Sequence, residues 1–148
     1  MEILIIGVII VALMAYTSTK IKKSAREPFE VEVFENDEFT ITKPEGFIIP
    51  YNETSKYAVE IYSKDFGDDD SKKFHQCQAL VSVENIYRKN SSIKKEKNEN
   101  DVLMLVWTKI LGNKKLNKTY KLEITVLDEY KEQYLEKIDK IRDSFTLK

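Results

Sequence analysis

The sequence predicts an α+β protein, an antiparallel β-sheet domain with a C-terminal helix packed on the sheet, preceded by a single transmembrane helix. Three observations predict it. Residues 3–16 (ILIIGVIIVALMAY) carry no charge and no strongly polar side chain. Between residues 29 and 126, apolar side chains recur at every second position in several separate runs, which is the period of a half-buried strand. From residue 128 to 145 the period changes to that of a helix.

The N-terminal run comes first. With Thr17, Ser18 and Thr19 it spans residues 3–19, about 25 Å as a helix against a hydrocarbon core of about 30 Å. Lys20, Lys22 and Lys23 extend its reach by snorkelling. Its β-branched residues do not argue for a strand, because a lone segment in lipid satisfies its backbone only as a helix. A cleaved signal peptide is the rival reading. Such peptides open with a positive region and close on a small-x-small site, whereas here Met1 and Glu2 open the run and the cations follow it.

The anchor reading divides the chain into a transmembrane anchor at 1–19, a basic linker at 20–27 and a soluble α+β domain at 28–148. The bilayer is contacted through residues 3–19. The membrane-flanking cations Lys20, Lys22, Lys23 and Arg26 all follow the helix, so the positive-inside rule places the domain on the cytoplasmic side of a cell membrane. On the signal-peptide alternative the domain is exported.

Composition excludes several classes. With 24 Lys and Arg against 25 Asp and Glu the net charge is -1, so no overall field points to nucleic acid. Cys77 is the only cysteine and His75 the only histidine. The chain therefore holds no internal disulfide and no thiolate or imidazole metal cage of its own.

The strands follow in order. Residues 29–34 (FEVEVF) alternate, with Phe29, Val31 and Val33 on one face. Asn36 and Asp37 mark a turn, and residues 39–43 (FTITK) complete a hairpin. Pro44 and Gly46 then form a tight turn, since proline presets φ and glycine accepts φ > 0. Pro50 ends the next short strand, and residues 52–56 are expected to form a turn of helix. Tyr57, Val59 and Ile61 alternate in another strand, as do Cys77, Ala79, Val81 and Val83. Residues 88–97 (RKNSSIKKEK) read as a basic, polar loop. Residues 102–111 are apolar nearly throughout, as a central strand covered on both faces would be. Gly112 and Asn113 signal a hairpin into a last strand carrying Tyr120, Leu122, Ile124 and Val126. Asp128 is the expected N-cap of a helix whose apolar positions are Tyr130, Tyr134, Leu135, Ile138, Ile141 and Phe145.

Residues 39–47 (FTITKPEGF) resemble the strand and Pro-x-Gly-aromatic turn near the start of PsbP/Mog1-like domains. The closing Tyr130, Ile138, Ile141, Ser144 and Phe145 are similar to the final helix of that superfamily. The resemblance spans residues 29–147. It implies an antiparallel sheet flanked by helices and a non-catalytic role as an accessory or partner-binding module, with no functional residues carried over.

Few constellations point to chemistry. His75 and Cys77, two apart, would share a strand face about 7 Å apart, but no third group orients a base, and a cysteine beside Ala79 and Val81 reads as core. Asp65, Asp68, Asp69 and Asp70 form the densest acidic cluster. Carboxylates so spaced suit calcium, yet the run lacks the EF-hand order and its distal Glu. If strands alternate in a simple meander, the 64–74 loop shares an end with the 112–118 hairpin. Lys72, Lys73, Lys114, Lys115 and Lys118 would then neutralise the acids without metal. The basic 88–97 loop suits anionic lipid or an acidic partner, but it lacks the interleaved aromatics of a nucleic-acid platform.

The sequence therefore points to a membrane-tethered, non-catalytic accessory or protein-interaction domain with no cofactor, meeting a membrane-associated protein partner and no nucleic acid. A ligand- or calcium-binding anchored domain is the alternative.

Overall fold

The computed structural model describes residues 2–148; Met1 and the side chains of Glu2, Lys23, Ser24 and Asp70 lie outside the described set. The chain opens with helix α1 (Glu2–Arg26) and a 3-10 turn (Glu27–Phe29). Nine strands follow: β1 (Glu32–Glu35), β2 (Phe39–Lys43), β3 (Phe47–Ile48), β4 (Val59–Ser63), β5 (Cys77–Glu84), β6 (Ser91–Glu99), β7 (Val102–Asn113), β8 (Lys118–Leu127) and, after helix α2 (Lys131–Ser144), β9 (Thr146–Leu147). All pairings are antiparallel. They build a six-stranded sheet, β3-β4-β5-β8-β7-β6, and a three-stranded one, β1-β2-β9.

The α+β expectation therefore holds, with an antiparallel sheet, a C-terminal helix packed against it and a long apolar helix in front. Helix α2 lies against β2 and β8 and buries Tyr134, Ile138 and Ile141. Opposite it, Ile61, Cys77, Ala79, Val81, Leu105, Trp107, Leu122, Ile124 and Val126 share one face of the large sheet through cross-strand pairing. Aromatic edges close the remaining space: Phe39 meets Phe145 and Tyr120 at 5.7 and 5.8 Å between centroids, and Phe47 meets Tyr134 at 5.7 Å.

Several elements differ from the sequence reading. Helix α1 continues through residues 20–26, most of the expected 20–27 linker. None of Lys20, Ile21, Lys22, Ala25 and Arg26 breaks a helix, and the α-helix gives way to a 3-10 turn only where Pro28, which has no N–H, cannot continue its hydrogen-bond ladder. In β1 it is Phe34 that turns inward, opposite Ile41, while Val31 and Val33 are exposed. Residues 52–56 form turns in which the Asn52 side chain accepts from Thr54, without a helix. Asp128 does not cap α2 through its side chain; it opens a 3-10 turn (Asp128–Tyr130) and pairs with Lys131 at 3.2 Å. Leu135 is 47% exposed.

The larger correction is β6, a full strand where a loop was expected. β6 covers one edge of β7, so β7 is next to last in its sheet rather than central. The hairpin turn falls at 114–117, with Gly112 still inside the strand. A Cβ at Gly112 would lie 1.9 Å from the Arg88 carbonyl, so glycine is required there by close backbone approach.

Candidate functional site

The most unusual local chemistry lies where α1 meets the domain. Alternation along β2 sends Phe39, Ile41 and Lys43 inward, and Lys43 is fully buried. Its ammonium donates to the carbonyls of Pro28 (2.8 Å) and Phe47 (2.9 Å) and to that of Glu30. An ammonium has three donors, and all three are used. Burial holds the Lys43 pKa below its ordinary value, against the opposing pull of Glu32 and Glu30. Gly46, at φ +84, gives its N–H to the Phe29 carbonyl at 2.7 Å. The Lys64 ammonium stands 5.4 Å from the centre of the Phe29 ring. The short segment after α1 is thus clamped from β2, β3 and the end of β4. Its acceptors are main-chain carbonyls, which a single buried cation satisfies together.

Among the described residues, helix α1 has no such partners. Its apolar side chains from Ile3 to Tyr16 are exposed. It is the one helix, among the described residues, long and apolar enough to cross a membrane, a length and composition that a signal sequence shares. Lys20, Lys22 and Arg26 occupy its last two turns, and the Lys23 side chain is outside the described residues.

The acidic cluster lies elsewhere than expected. Cys77 pairs with Val126 and Met104 with Leu127, so the 64–76 connection shares its end of the sheet with the 100–101 turn and Asp128. The Lys114, Lys115 and Lys118 hairpin is at the other end, beside Tyr87 and Arg88. The extra strand β6 inverted the parity. Asp68 and Asp69 instead border a cleft of about 410 Å³ with Asp101, Asp128 and Glu129, so like charges gather there. Asp65 points its carbonyl into the loop's own bonding, and the Asp70 side chain is outside the described residues. Among the described residues, no three or more acidic, histidine or cysteine side chains are arranged to hold a metal ion.

The loop itself is pinned. Gln76 donates to the Phe66 carbonyl (2.9 Å) and accepts from the buried Tyr134 hydroxyl (2.6 Å), while the Cys77 N–H donates to Ser63 Oγ (3.0 Å). Asp68 accepts from the Tyr130 hydroxyl. Lys118, expected beside the acidic loop, instead bonds Glu38 at 2.5 Å, and Tyr120 donates to the same carboxylate at 2.8 Å. These donors, Lys118 first, hold the Glu38 pKa below its usual range.

His75 and Cys77 do not share a face. His75 is stacked between Tyr62 (4.6 Å) and Phe66 (4.2 Å) on the outer side of the large sheet, with Nδ1 at 2.8 Å from the Ser63 carbonyl. Cys77 is buried in the core on the inner side, and burial pushes its thiol pKa far up. The sheet separates base from thiol, and Cys77 packs as a small core residue. Trp107 and Tyr120 likewise pack in the core.

A second lysine, not among the residues singled out by sequence, also turns inward. Lys109 follows Leu105 and Trp107 on the inner face of β7 and donates to the carbonyls of Arg142 (2.7 Å) and Phe145 (2.9 Å). It caps the C-terminus of α2, where the helix dipole favours a cation.

No family model matches the chain, and no curated protein matches it. Among solved structures it is similar to the solution structure of cyanobacterial PsbP (CyanoP) from Synechocystis sp. PCC 6803. The TM-score is 0.49 at 9% identity, over 81% of this chain and 94% of that one. It is also similar to a crystal structure from Bacteroides thetaiotaomicron VPI-5482, with a TM-score of 0.48 and 11% identity, over 74% of this chain and 45% of that one.

Proposed function

We propose that the chain is a membrane-tethered, non-catalytic accessory or protein-interaction domain, held to the bilayer by residues 3–19. The observation that carries the reading is the pairing of an exposed apolar helix with a clamped junction. A bare apolar helix in water exposes surface at a cost of about 25 cal/mol per Å², a cost that lipid removes. Residues 20–26 prolong the helix by about 10 Å beyond that span, and Lys43 fixes the next four residues to the sheet. The body is thereby held at a set distance from the lipid, which suits a module that meets a membrane-bound partner at raised effective concentration. The flanking cations Lys20, Lys22, Lys23 and Arg26 favour a cytoplasmic body.

Two measurements test this. Protease added to sealed vesicles should leave the domain intact until the cytoplasmic face is opened; digestion from the other face overturns the orientation. Mild-detergent extraction of native membranes should recover the chain with a second protein. Recovery from the soluble fraction removes the tether, and recovery of this chain alone removes the interaction role.

A further inference from the structure

Strand β6 is the long free edge of the large sheet. The opposite edge, β3, is two residues long, packs against the 27–29 turn and is followed within two residues by Pro50. β6 is nine residues long, exposed at all but the last, and bonded on one side only, to β7. Natural edges of this length are commonly blunted by lysines, which repel any approaching strand. Here the lysines are interleaved with acids. Pairing with β7 puts Lys94 and Glu96 on the face of Trp107 and Leu105, and Ile93, Lys95 and Lys97 on the other. Lys97 has its own partner in Glu99 at 2.7 Å. Lys94 rests over the Trp107 ring at 5.0 Å, and neither it nor Lys95 or Glu96 has an ion-pair partner among the described residues.

We propose that β6 pairs antiparallel with the β6 of a second copy of this chain, about a two-fold axis through Lys95, fusing two six-stranded sheets into one. A two-fold perpendicular to the sheet keeps each residue on its own face, so the axis must pass through a residue, and each choice can be compared. Centred on Lys95, residues 91–99 oppose 99–91 over the whole strand. Lys94 then faces the partner's Glu96, and Glu96 the partner's Lys94. Ile93 lies under the stem of the partner's Lys97. The single directly opposed like-charge pair, Lys95 with itself, is on the solvent face, where long side chains splay. Centred on Glu96, the strand sets Lys95 against Lys97 twice and Glu96 against itself. Centred on Lys94 or Lys97, it loses overlap and keeps a lysine on the axis. The favoured register forms about eight to ten main-chain hydrogen bonds and is isologous, as closed dimers require. The cleft of about 490 Å³ beside Trp107, Leu135 and Lys94 then adjoins its copy across the axis.

The test uses the full chain in detergent micelles, with polypeptide mass read by light scattering. The wild type should be a dimer. Lys94→Glu sets two acids face to face, and Glu96→Lys sets two cations so; each should weaken association about tenfold or more. The double variant Lys94→Glu/Glu96→Lys restores the opposed signs and should restore the dimer. Register is read by oxidation. Lys95→Cys, on the axis with Cα atoms about 4.5–5.5 Å apart, should form an intermolecular disulfide. Ile93→Cys and Lys97→Cys, each about 14 Å from its own copy, should not, and the buried Cys77 provides the silent background. A monomeric wild type overturns the proposal. So does a dimer indifferent to the charge reversals, as one made through α1 would be, and so do equal cross-links at 93, 95 and 97. None of these outcomes depends on whether α1 sits in lipid.

Discussion

Replacing Lys43 by methionine removes three hydrogen bonds, two that tie the segment after α1 to the domain and one to the Phe47 carbonyl within it, while keeping most of the side-chain volume. A hydrogen bond from a charged donor contributes about 1.5–3 kcal/mol net, so simple addition gives roughly 4.5–9 kcal/mol. Two effects reduce that figure. Pro28 and Glu30 are exposed residues, and their carbonyls can bond water once released, whereas the Phe47 carbonyl stays in the core. The wild type also carries the cost of burying an ammonium, which methionine does not. About 2–3 kcal/mol remains. At about 4 °C per kcal/mol for a domain of this size, the melting temperature should fall by roughly 8–12 °C. Circular-dichroism melts of the full chain in detergent at pH 7 read this directly. A second measurement isolates the clamp: spin labels at Lys22→Cys and Lys121→Cys report one narrow distance in the wild type. Below the melting temperature, Lys43→Met should broaden that distribution. An unchanged distribution with a melt within about 1 °C of wild type would refute both the clamp and the set spacing drawn from it.

Four other outcomes are expected. Ile138→Ala, at a fully buried position against the sheet, should cost about 2–5 kcal/mol in a urea titration. Lys109→Met should cost about 1–2 kcal/mol by uncapping α2, and amide exchange should quicken first at residues 142–145. For Glu38 the sign follows from its depressed pKa: the native carboxylate gives up its proton more readily than the unfolded one. Its contribution is therefore present above the unfolded carboxylate range and lost as pH falls through the folded value. Since the pair is nearly a third exposed, the effect is at most about 1 kcal/mol, and the melting difference between wild type and Glu38→Gln should shrink from pH 7 to pH 3. Calorimetric titration with calcium should show nothing tighter than about 1 mM, because the described carboxylates around Asp68 do not converge on one point; tight binding lost in Asp68→Asn would contradict that.

Much of the architecture was legible because it rests on period alone. Alternation marked β2, β4, β5 and β8, the helical spacing of Tyr134, Ile138 and Ile141 marked α2, and Pro44 with Gly46 marked the turn whose glycine stands at φ +84. The failures have physical causes. Residues 91–99 contain Ile93 and no other apolar side chain, so a rule that finds strands by buried faces passes over an edge strand, which needs no apolar face when no layer covers it. That one omission moved the acidic loop to the wrong end of the sheet, since each added strand of a meander reverses the end at which the next connection lies. The expected neutralisation of Asp68 and Asp69 by Lys114 and Lys115 fails through topology, because the hairpin that carries these lysines lies at the other end of the sheet.

The two lysines show that alternation carries more than hydrophobicity. Lys43 follows Phe39 and Ile41, and Lys109 follows Leu105 and Trp107, each at the next inward position of its strand. Parity alone placed both side chains toward the core, and a cation there must find acceptors. What parity cannot supply is the acceptor, because helix ends and tight turns offer carbonyls only once the chain has folded around them. Both lysines found just such groups: Lys109 the last turn of α2, Lys43 the segment that follows α1. In this chain a lysine on the inward parity of a strand marks where a helix end docks. Read in that way, residue 43 already pointed to the junction between α1 and the sheet.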